Sequence, residues 1–345
     1  MSGPQNFLSR LDKALLIYDL PKYQIINPNN KGLVLLNNKE LLNIGRLDGV
    51  KYYKATSTNL YNYIRQKKNL NMSVLNYIPD FLVEKLTFPL NSYLNRINKN
   101  IIKNSHGIVF QSELSKNMHA RFIGETADSS VIILNGIPTE VFNPNIGKSS
   151  LEGYPRLVIT ASFRLHKRLQ DAVNAVNMLR KKFPKIKLHI IGDFDLLTKE
   201  LMFKLDLSSC VLHGRVDSES LPSIYNSCDL GLSLCIFDSC PNSVVEMMGC
   251  GLPVISNSHS GAVELLKCKD LIVKDDFEID YIELQTAEKI PEINTEILVN
   301  AVEKVLDSRE YYSDIVLERV EEELDIRLVA EKYANYIMET YDAIS

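Results

Sequence analysis

The sequence contains no apolar run long enough to cross a membrane. Its strongest apolar stretch, residues 230–237, has the length of a β-strand, whereas a membrane-spanning helix needs about 20 apolar residues. The polar residues 2–6 that follow Met1 lack the basic and apolar character of a secretory signal, so no such signal is expected. With 15 glycines, 13 prolines and 45% hydrophobic residues in 345, a collagen-like, low-complexity or disordered chain is also excluded. The length fits two domains of about 150 residues each.

Cysteine pairs with the C-x-x-C spacing are absent as well. All six cysteines lie in the second half of the chain: Cys210, Cys228, Cys235, Cys240, Cys250 and Cys268. Several fall within apolar runs, a pattern typical of buried, reduced thiols. The predicted location is therefore cytoplasmic, and association with the cytoplasmic face of a membrane is a further hypothesis. Because the sequence has no clustered ligands, no metal site is predicted.

The two halves of the chain carry opposite net charge. Residues 1–150 have 18 basic and 10 acidic side chains, a net +8, while residues 151–345 have 21 and 33, a net −12; together they give the −4 of the whole chain. Opposite charges suggest that the halves have different partners. A basic first half suits an anionic substrate or a membrane surface, and solvated surface lysines are the alternative explanation.

From Tyr154 onward, strand-like and helix-like segments alternate. Strands are predicted at 156–161, 186–191, 210–212, 230–236 and 252–256, and helices at 169–183, 196–205, 218–228 and 241–249. This rhythm with short links indicates an α/β fold in which a parallel sheet carries helices on both faces, as in Rossmann-like domains. Ligands of such sheets bind beyond the carboxyl ends of the strands, so the loops at those ends are candidate site segments.

The first half is less regular. Its predicted elements are a helix at 7–16, strands at 23–26, 33–36, 50–53, 107–110 and 131–134, and a long amphipathic helix at 81–102 that carries Lys85, Arg96 and Lys99. After about residue 296 the pattern is helical to the end. The chain is interpreted as domain 1–148 and domain 149–324, with a final helix at about 325–345 that packs back onto the first domain.

Residues 238–256 are the most informative stretch. A strand ends near Phe237, a loop follows, and Pro241 presets the first turn of a helix. The positive end of such a helix suits a diphosphate. The amides expected to face the cleft there are those of Asn242, Ser243 and Val244.

Two carboxylates accompany this helix. Glu246, in its first two turns, is positioned to accept hydrogen bonds from a vicinal diol. Asp238, eight residues earlier in the loop, is within reach of a sugar hydroxyl. The alternative interpretation of the same pattern is a structural βαβ unit with an acidic capping loop.

The segment resembles the signature of family-4 retaining glycosyltransferases of the GT-B fold, the glycosyl transferases of group 1. In that signature an acidic residue precedes a Glu by seven intervening positions, Pro-Asn starts the helix, and a second glycine precedes another Glu. The matching elements are Asp238, Pro241-Asn242, Glu246, residues 250–255, Gly261 and Glu264. Two further blocks, residues 134–144 and 163–168, resemble family segments in the expected order. The resemblance covers roughly residues 131–265.

The resemblance implies a two-domain GT-B enzyme, with two Rossmann-like domains facing across a cleft. It would transfer a hexose with retention of configuration from a UDP- or GDP-linked sugar to a glycan, lipid-linked or small-molecule acceptor. It implies no required metal and no cofactor besides the donor, and no nucleic-acid partner is expected. The oligomeric state, monomer or homodimer, stays open, as does peripheral membrane contact through the basic first domain.

The resemblance also assigns cations to the donor diphosphate. Arg164 and Lys167, in the loop after a strand, are the candidates, and Arg168 could share the role. A leaving nucleoside diphosphate gains negative charge as the glycosidic bond breaks, and preset cations stabilise that charge. A basic helix start is the structural alternative, but cations are unfavourable at a helix N-terminus.

Two departures from the family pattern stand out. The first acidic position is Asp238 where the family usually has Glu, one methylene longer. The family usually begins with a strand that leads into a glycine-rich loop, whereas here Gly3 is reached at once. Gly3 could still let the backbone approach the donor or acceptor. Asp48 lies where many members have a histidine, so the resemblance places it near the anomeric carbon; a structural ion pair with Arg46 is the alternative.

Some motifs are weaker candidates. His213 and Arg215 end a strand at which the family binds the nucleotide base. Residues 193–195, Asp-Phe-Asp, imitate the D-x-D metal motif of the other large glycosyltransferase fold and are interpreted as structural. Two alternatives to a transferase stay open: a sugar-nucleotide epimerase on the same fold, and a non-catalytic sugar-nucleotide or glycan binding protein.

Overall fold

A computed structural model of the chain describes residues 3–20, 23–26, 42–47, 105–123, 130–274 and 291–344. The predictions about Asp48, the strands at 33–36 and 50–53 and the helix at 81–102 lie outside these residues. Among the described residues, no helix is both long and apolar enough to span a membrane.

The first half forms a parallel sheet. Its strands, in sheet order, are β1 (Tyr23–Ile26), β2 (Leu42–Leu47), β3 (Gly107–Phe110) and β4 (Ser130–Ile132). Helix α1 (Gly3–Leu15) precedes the sheet, and α2 (Glu113–Ile123) follows β3. The strands predicted at 23–26 and 107–110 are therefore confirmed, and the strand predicted at 131–134 begins and ends slightly earlier.

The second half forms a six-stranded parallel sheet. Its strands along the chain are β5 (Arg156–Thr160), β6 (Lys187–Ile191), β7 (Cys210–Gly214), β8 (Leu230–Ser233), β9 (Val254–Asn257) and β10 (Ile272–Val273). The central strand β5 has three consecutive buried residues, Leu157, Val158 and Ile159, because helices cover both faces of the sheet. The α/β architecture predicted from the alternating pattern is confirmed.

Helices connect these strands. They are α3 (Leu169–Leu179), α4 (Leu196–Met202), α5 (Leu221–Tyr225), α6 (Asn242–Gly249) and α7 (Ala262–Leu266), and α8 (Thr295–Asp307) follows the last strand. A single 3-10 turn, Leu165–Lys167, lies between β5 and α3, and another, Lys269–Leu271, precedes β10. The four helices predicted between β5 and β9 are one to six residues shorter than predicted.

The strand order of the second sheet reverses next to β5. The order is β10-β9-β8-β5-β6-β7, so the chain runs from β5 to β6 and β7 on one side and returns to β8 on the other. At such a reversal the two neighbouring loops diverge to opposite faces and leave a crevice beyond the carboxyl ends of the strands. The crevice between β5 and β8 is therefore where this sheet is expected to bind a ligand.

The end of the chain returns to the first half. Helix α9 (Arg309–Arg319) continues into a π-helical turn (Val320–Leu324) and then into α10 (Ile326–Ile344). One buried cluster joins Phe7 and Leu11 of α1 to Tyr333 of α10. Burial of each large apolar side chain contributes about 1.5–3 kcal/mol. The Oη atom of Tyr336 accepts the amide of Ile108 in β3 at 2.9 Å.

The chain passes between the halves twice, once near residue 137 and once near residue 325, and these two segments are in contact. Ile137 and Asp325 form a parallel bridge, in which the amide of Ile326 donates to the carbonyl oxygen of Ile137 at 2.9 Å. Gly136 makes this approach possible, since a Cβ atom there would lie 2.8 Å from Cγ2 of Val329. The division into domains 1–148 and 149–324 stays an interpretation.

Candidate functional site

An ion pair lies at the crevice between β5 and β8. Nζ of Lys167, at the end of the 3-10 turn after β5, is 2.6 Å from Oδ2 of Asp238, in the loop after β8. Burial lowers the pKa of Lys167, but Asp238 and Cys235 together, through charge and hydrogen bonds, raise it by more, so the net pKa is raised. Burial raises the pKa of Asp238, but Lys167, His166 and the backbone hydrogen bond of Cys240 together more than reverse that effect, so its net pKa is lowered. Both groups are therefore charged at neutral pH.

Backbone hydrogen bonds hold three loops together around this pair. The amide of Ile236 donates to the carbonyl oxygen of His166 at 3.1 Å, and that of Phe237 donates to the carbonyl oxygen of His259 at 2.8 Å. The amide of Gly261 donates to the carbonyl oxygen of Asp238 at 2.8 Å. Glycine is required at 261, because a Cβ atom would lie 1.8 Å from the carbonyl oxygen of Ser239. The motif glycine therefore allows the loops after β8 and β9 to pack closely.

His166 and Arg164 flank Lys167 in the loop after β5. Burial, followed by the charges of Lys167 and Arg164, lowers the pKa of His166 to about 3. His166 is thus neutral at physiological pH, and the positive charge of this loop is carried by the lysine and the arginines. Arg164 lies half-buried in extended backbone at the start of the 3-10 turn.

Arg168 turns away from the ion pair. Its Nε donates to the carbonyl oxygen of Pro291 at 3.1 Å and lies 3.4 Å from Oδ2 of Asp171, while its backbone is left-handed with φ of 55°. These contacts fix the start of α3 to the segment before α8. The predicted share of Arg168 in diphosphate binding stays a prediction that its contacts do not support.

Glu246 lies buried on α6, where a residue from the other half of the chain meets it. Nη2 of Arg10, on α1, donates to Oε1 of Glu246 at 3.0 Å. Burial raises the pKa of Glu246, and Arg10 opposes the shift without cancelling it. Tyr225 is close enough that, after burial, the charge of Glu246 raises the pKa of its phenol. Arg10 was not predicted, since a lone arginine on a helix has no distinguishing pattern.

The start of α6 is only partly as predicted. Pro241 is the residue before the helix, with φ of −69°, and helical geometry begins at Asn242. The amide of Val244 donates to the carbonyl oxygen of Pro241 at 3.0 Å. That amide is already used by the first turn, so the prediction that it faces a diphosphate is not supported. Ser243 is half-buried beside it.

Asn135, in the block before the second sheet, connects the two halves at this helix. Its Nδ2 donates to Oδ1 of Asn242 at 2.7 Å and to the carbonyl oxygen of Cys240 at 3.2 Å. Its Oδ1 accepts from Nε2 of Gln111 at 3.0 Å. The sequence showed Asn135 as part of a family block, but its contact with the α6 loop depends on how the two halves pack.

Glu264 makes a second contact between the halves. Its two carboxylate oxygens accept the amides of Glu113 at 2.8 Å and Leu114 at 3.1 Å, at the start of α2. These amides have no partner inside their own helix, and a negative charge is favourable at that end. The Glu of the family signature thus caps a helix of the first half.

The weaker candidates have other partners or are exposed. Nε2 of His213 is 2.9 Å from Nδ1 of His189, and Arg215 is exposed, so their donor-site role stays a prediction. Asp195 caps α4 by accepting the amide of Thr198 at 2.8 Å. Asp193 accepts from the hydroxyl of Ser162 at 2.8 Å. The described residues contain no group of three or more potential metal ligands. Gly3 is the first residue of α1.

Part of the chain matches a known protein family, and solved structures share its fold. Residues 154–309, just under half of the chain, match the family model described as glycosyl transferases group 1. No curated protein matches the chain.

Three solved structures illustrate the shared fold. Sucrose-phosphate synthase from Thermosynechococcus elongatus has a TM-score of 0.61 at 14% identity, over 88% of this chain and 69% of that chain. Anabaena Alr3699/HepE in complex with UDP has a TM-score of 0.57 at 13% identity, over 87% and 72%. A glycosyltransferase from Rickettsia africae ESF-5 has a TM-score of 0.56 at 15% identity, over 94% and 99%. The chain has the GT-B fold, and the match of residues 154–309 supports a transferase.

Proposed function

We propose that this chain is a retaining glycosyltransferase that moves a hexose from a nucleotide diphosphate sugar to a hydroxyl group. The observation that carries the proposal is the Lys167–Asp238 pair at the β5–β8 crevice, close to the start of α6. A UDP-sugar is the favoured donor, with GDP-mannose as the alternative. Structures of HepE with UDP-glucose and of the pneumococcal O-GlcNAc transferase GtfA with UDP and GlcNAc share the fold, which favours the uracil base.

Lys167 and Arg164 would hold the donor diphosphate. The raised pKa of Lys167 keeps its ammonium charged in a half-buried site. Bond cleavage transfers charge to the diphosphate, and a cation that is already in place stabilises this charge without reorganisation. Arginine adds bidentate contacts to phosphate, whereas lysine acts as a point charge.

The two carboxylates would hold the hydroxyl groups of the donor. Asp238 would accept from the sugar, and Glu246 from the ribose diol. Retention without a protein nucleophile fits transfer on one face of the sugar, in which the leaving phosphate helps to deprotonate the acceptor. The proposal includes no metal and no cofactor besides the donor.

The first half would bind the acceptor, a glycan, a lipid-linked glycan or a small molecule. Its net charge of +8 favours an anionic or membrane-borne acceptor at the cytoplasmic face. The roles of Asp48 and Gly3 near the reacting carbon are proposed from the family resemblance alone.

A non-catalytic sugar-nucleotide binding protein is the second candidate. Asp238 favours it, because this carboxylate is one methylene shorter than the usual Glu and is held by Lys167 at 2.6 Å. Tight donor binding without hydrolysis or transfer to any acceptor would support this candidate over the transferase.

A panel of nucleotide sugars tests the proposal. Thermal unfolding is measured with UDP-, GDP- and ADP-sugars, and hydrolysis of each donor is followed in parallel. A ligand at 100 times its Kd stabilises a fold by about 2.7 kcal/mol, so a specific donor raises Tm clearly. Absence of both binding and hydrolysis with every donor at millimolar concentration would refute the proposed function.

Replacement of Lys167 is the matching mutational test. Lys167→Ala should lower kcat for the preferred donor by about 10²–10³-fold, the effect of removing one preset electrostatic contact. Lys199→Ala, which removes the same charge from the exposed face of α4, is the control and should leave kcat unchanged. Equal activities of the two variants would contradict the assigned role of Lys167.

A further inference from the structure

The contact between Arg10 and Glu246 joins residues that are 236 positions apart. Nη2 of Arg10 donates to Oε1 of Glu246 at 3.0 Å, and only 16% and 8% of the two side chains are exposed. Arg10 belongs to α1 of the first half, whereas Glu246 belongs to α6 of the second. The pair therefore crosses from one half of the molecule to the other.

Glu246 needs such a partner because it is buried. Removing a carboxylate from water is costly unless a charge or hydrogen bonds compensate. Burial raises the pKa of Glu246, and Arg10 opposes this shift through its charge and its hydrogen bond. The ability of Glu246 to act as an anionic acceptor thus depends on a residue outside its own half.

Other contacts hold Arg10 in place. The guanidinium carbon lies 5.1 Å from the centre of the Phe142 ring, in the segment that joins the halves, which is the geometry of a cation–π contact. Phe7 and Leu11, on either side of Arg10 in α1, are fully buried. Because the helix is anchored and the guanidinium stacks on a ring, Arg10 approaches Glu246 from a defined direction.

We propose that Arg10 is a positioning residue for nucleotide recognition, which holds the Glu246 carboxylate so that its second oxygen, Oε2, accepts from the ribose diol of the donor. The proposal rests on the proposed function and extends it. Arg10 occupies one oxygen, Oε1, and leaves the other for a ligand hydroxyl. Recognition of the ribose then requires α1 and α6 together, and binding of the nucleotide favours the arrangement in which these helices touch.

Five variants test this role, one of them Glu246→Gln alone. Arg10→Gln removes the charge but keeps a hydrogen-bonding side chain of similar shape, and Arg10→Lys retains the charge. Lys13→Gln is the matched control, since it removes the same charge from an exposed position on the same helix. Glu246→Gln combined with Arg10→Gln closes a double-mutant cycle, which isolates the coupling between the two side chains. Thermal unfolding of each variant checks that the chain is folded.

Nucleotide affinities distinguish a positioning role of Arg10 from a purely structural one. The Kd values of UDP and 2′,3′-dideoxy-UDP are measured by calorimetry, with GDP and its 2′,3′-dideoxy form in parallel. Arg10→Gln should weaken UDP binding about tenfold, the size expected for a hydrogen bond to a charged group. Binding of the dideoxy nucleotide should change little, because both hydroxyls that would donate to Glu246 are missing. Lys13→Gln should bind both as the wild type does, and Arg10→Lys should restore most of the UDP affinity.

The pH profile adds an independent readout. Loss of Arg10 raises the pKa of Glu246 further, so the deficit of Arg10→Gln in UDP binding should grow as pH falls. In the Glu246→Gln background, Arg10→Gln should have no additional effect on UDP binding.

The outcomes are distinguishable. Suppose that the wild type binds UDP or GDP, and that Arg10→Gln either weakens the ribose and dideoxyribose nucleotides equally or weakens neither of them. Arg10 then has no positioning role, and the proposed function stands. If the wild type binds no nucleotide, the proposed function fails, and this inference fails with it.

Discussion

Lys167 and Asp238 are the two charges on which the candidate site depends. Each lies in a polar loop with roughly a quarter of its side chain exposed, and each shifts the pKa of the other toward its charged form. A donor diphosphate would share the ammonium of Lys167 and leave Asp238 available for a sugar hydroxyl. The two charges that the proposed transfer would use are therefore already paired with each other in the protein.

Removal of the Asp238 charge tests the strength of the pair. Asp238→Asn leaves a half-buried ammonium without its anion and should reduce the free energy of unfolding by about 1–3 kcal/mol in urea titrations at pH 7. Asp206→Asn breaks the exposed pair with Arg180 and should have little effect, since water screens surface pairs. A destabilisation no larger than that of Asp206→Asn would contradict a strong Lys167–Asp238 interaction.

At the scale of elements, the loops at the carboxyl ends of β5, β8 and β9 act as one unit. Backbone hydrogen bonds join them, and Glu264, just after this cluster, caps α2 of the first half. The position of α2 therefore follows the position of the donor-side loops. A change in these loops on ligand binding would be transmitted to the first half through this cap.

Loss of the Glu264 cap should destabilise the start of α2. Glu264→Ala should reduce the free energy of unfolding by about 1 kcal/mol, as for other helix caps. It should also accelerate hydrogen exchange at the amides of Glu113 and Leu114, while exchange in β5 stays unchanged. Glu318→Ala, an exposed substitution late in α9, is the control. Unchanged exchange at Leu114 would mean that Glu264 does not hold α2.

At the scale of the whole molecule, buried histidines link folding to pH. Burial, together with nearby positive charge, lowers the pKa of His166 to about 3. Burial also lowers the pKa of His189 and His213, whose ring nitrogens face each other at 2.9 Å. Nε2 of His189 lies 3.1 Å from the carbonyl oxygen of Glu152 and so donates to it, which leaves Nδ1 to accept from His213. A further proton on His189 would break this arrangement.

Stability should therefore fall at mildly acid pH. Below about pH 6.5 the unfolded chain binds protons at these histidines more readily than the folded chain does, so unfolding becomes more favourable by up to about 1.4 kcal/mol per pH unit for each group. The raised pKa of Glu246 acts in the opposite direction, because the folded chain takes up this proton at a higher pH than the unfolded chain does. Urea unfolding between pH 7.5 and 5.5 measures the slope. His213→Asn should flatten it, whereas His106→Asn, at an exposed position of the first half, should not.

Local pattern was sufficient for much of this molecule. Apolar runs of strand length, separated by amphipathic stretches, predicted five of the six strands of the second sheet, β5 to β9, in their correct order along the chain. The two-residue strand β10 was not predicted. The features of the segment from Asp238 to Glu264 were likewise predictable from the sequence. The loop, the proline, the helix start and the glycine are close together in the chain. Helix ends were overestimated, because end residues such as Phe183 and Leu205 are apolar without belonging to the regular helix.

By itself, the sequence determined the α/β class, the order of the elements, the family resemblance and the two loops that carry Lys167 and Asp238. Only the tertiary structure decided that Arg10 meets Glu246, that Asn135 meets Asn242 and that Glu264 caps α2. These partners are 236, 107 and 151 residues apart, respectively. Hydrophobic periodicity records which face of an element is buried, but not which distant element covers it. Contacts between the two halves therefore became visible only when both halves were packed around the cleft.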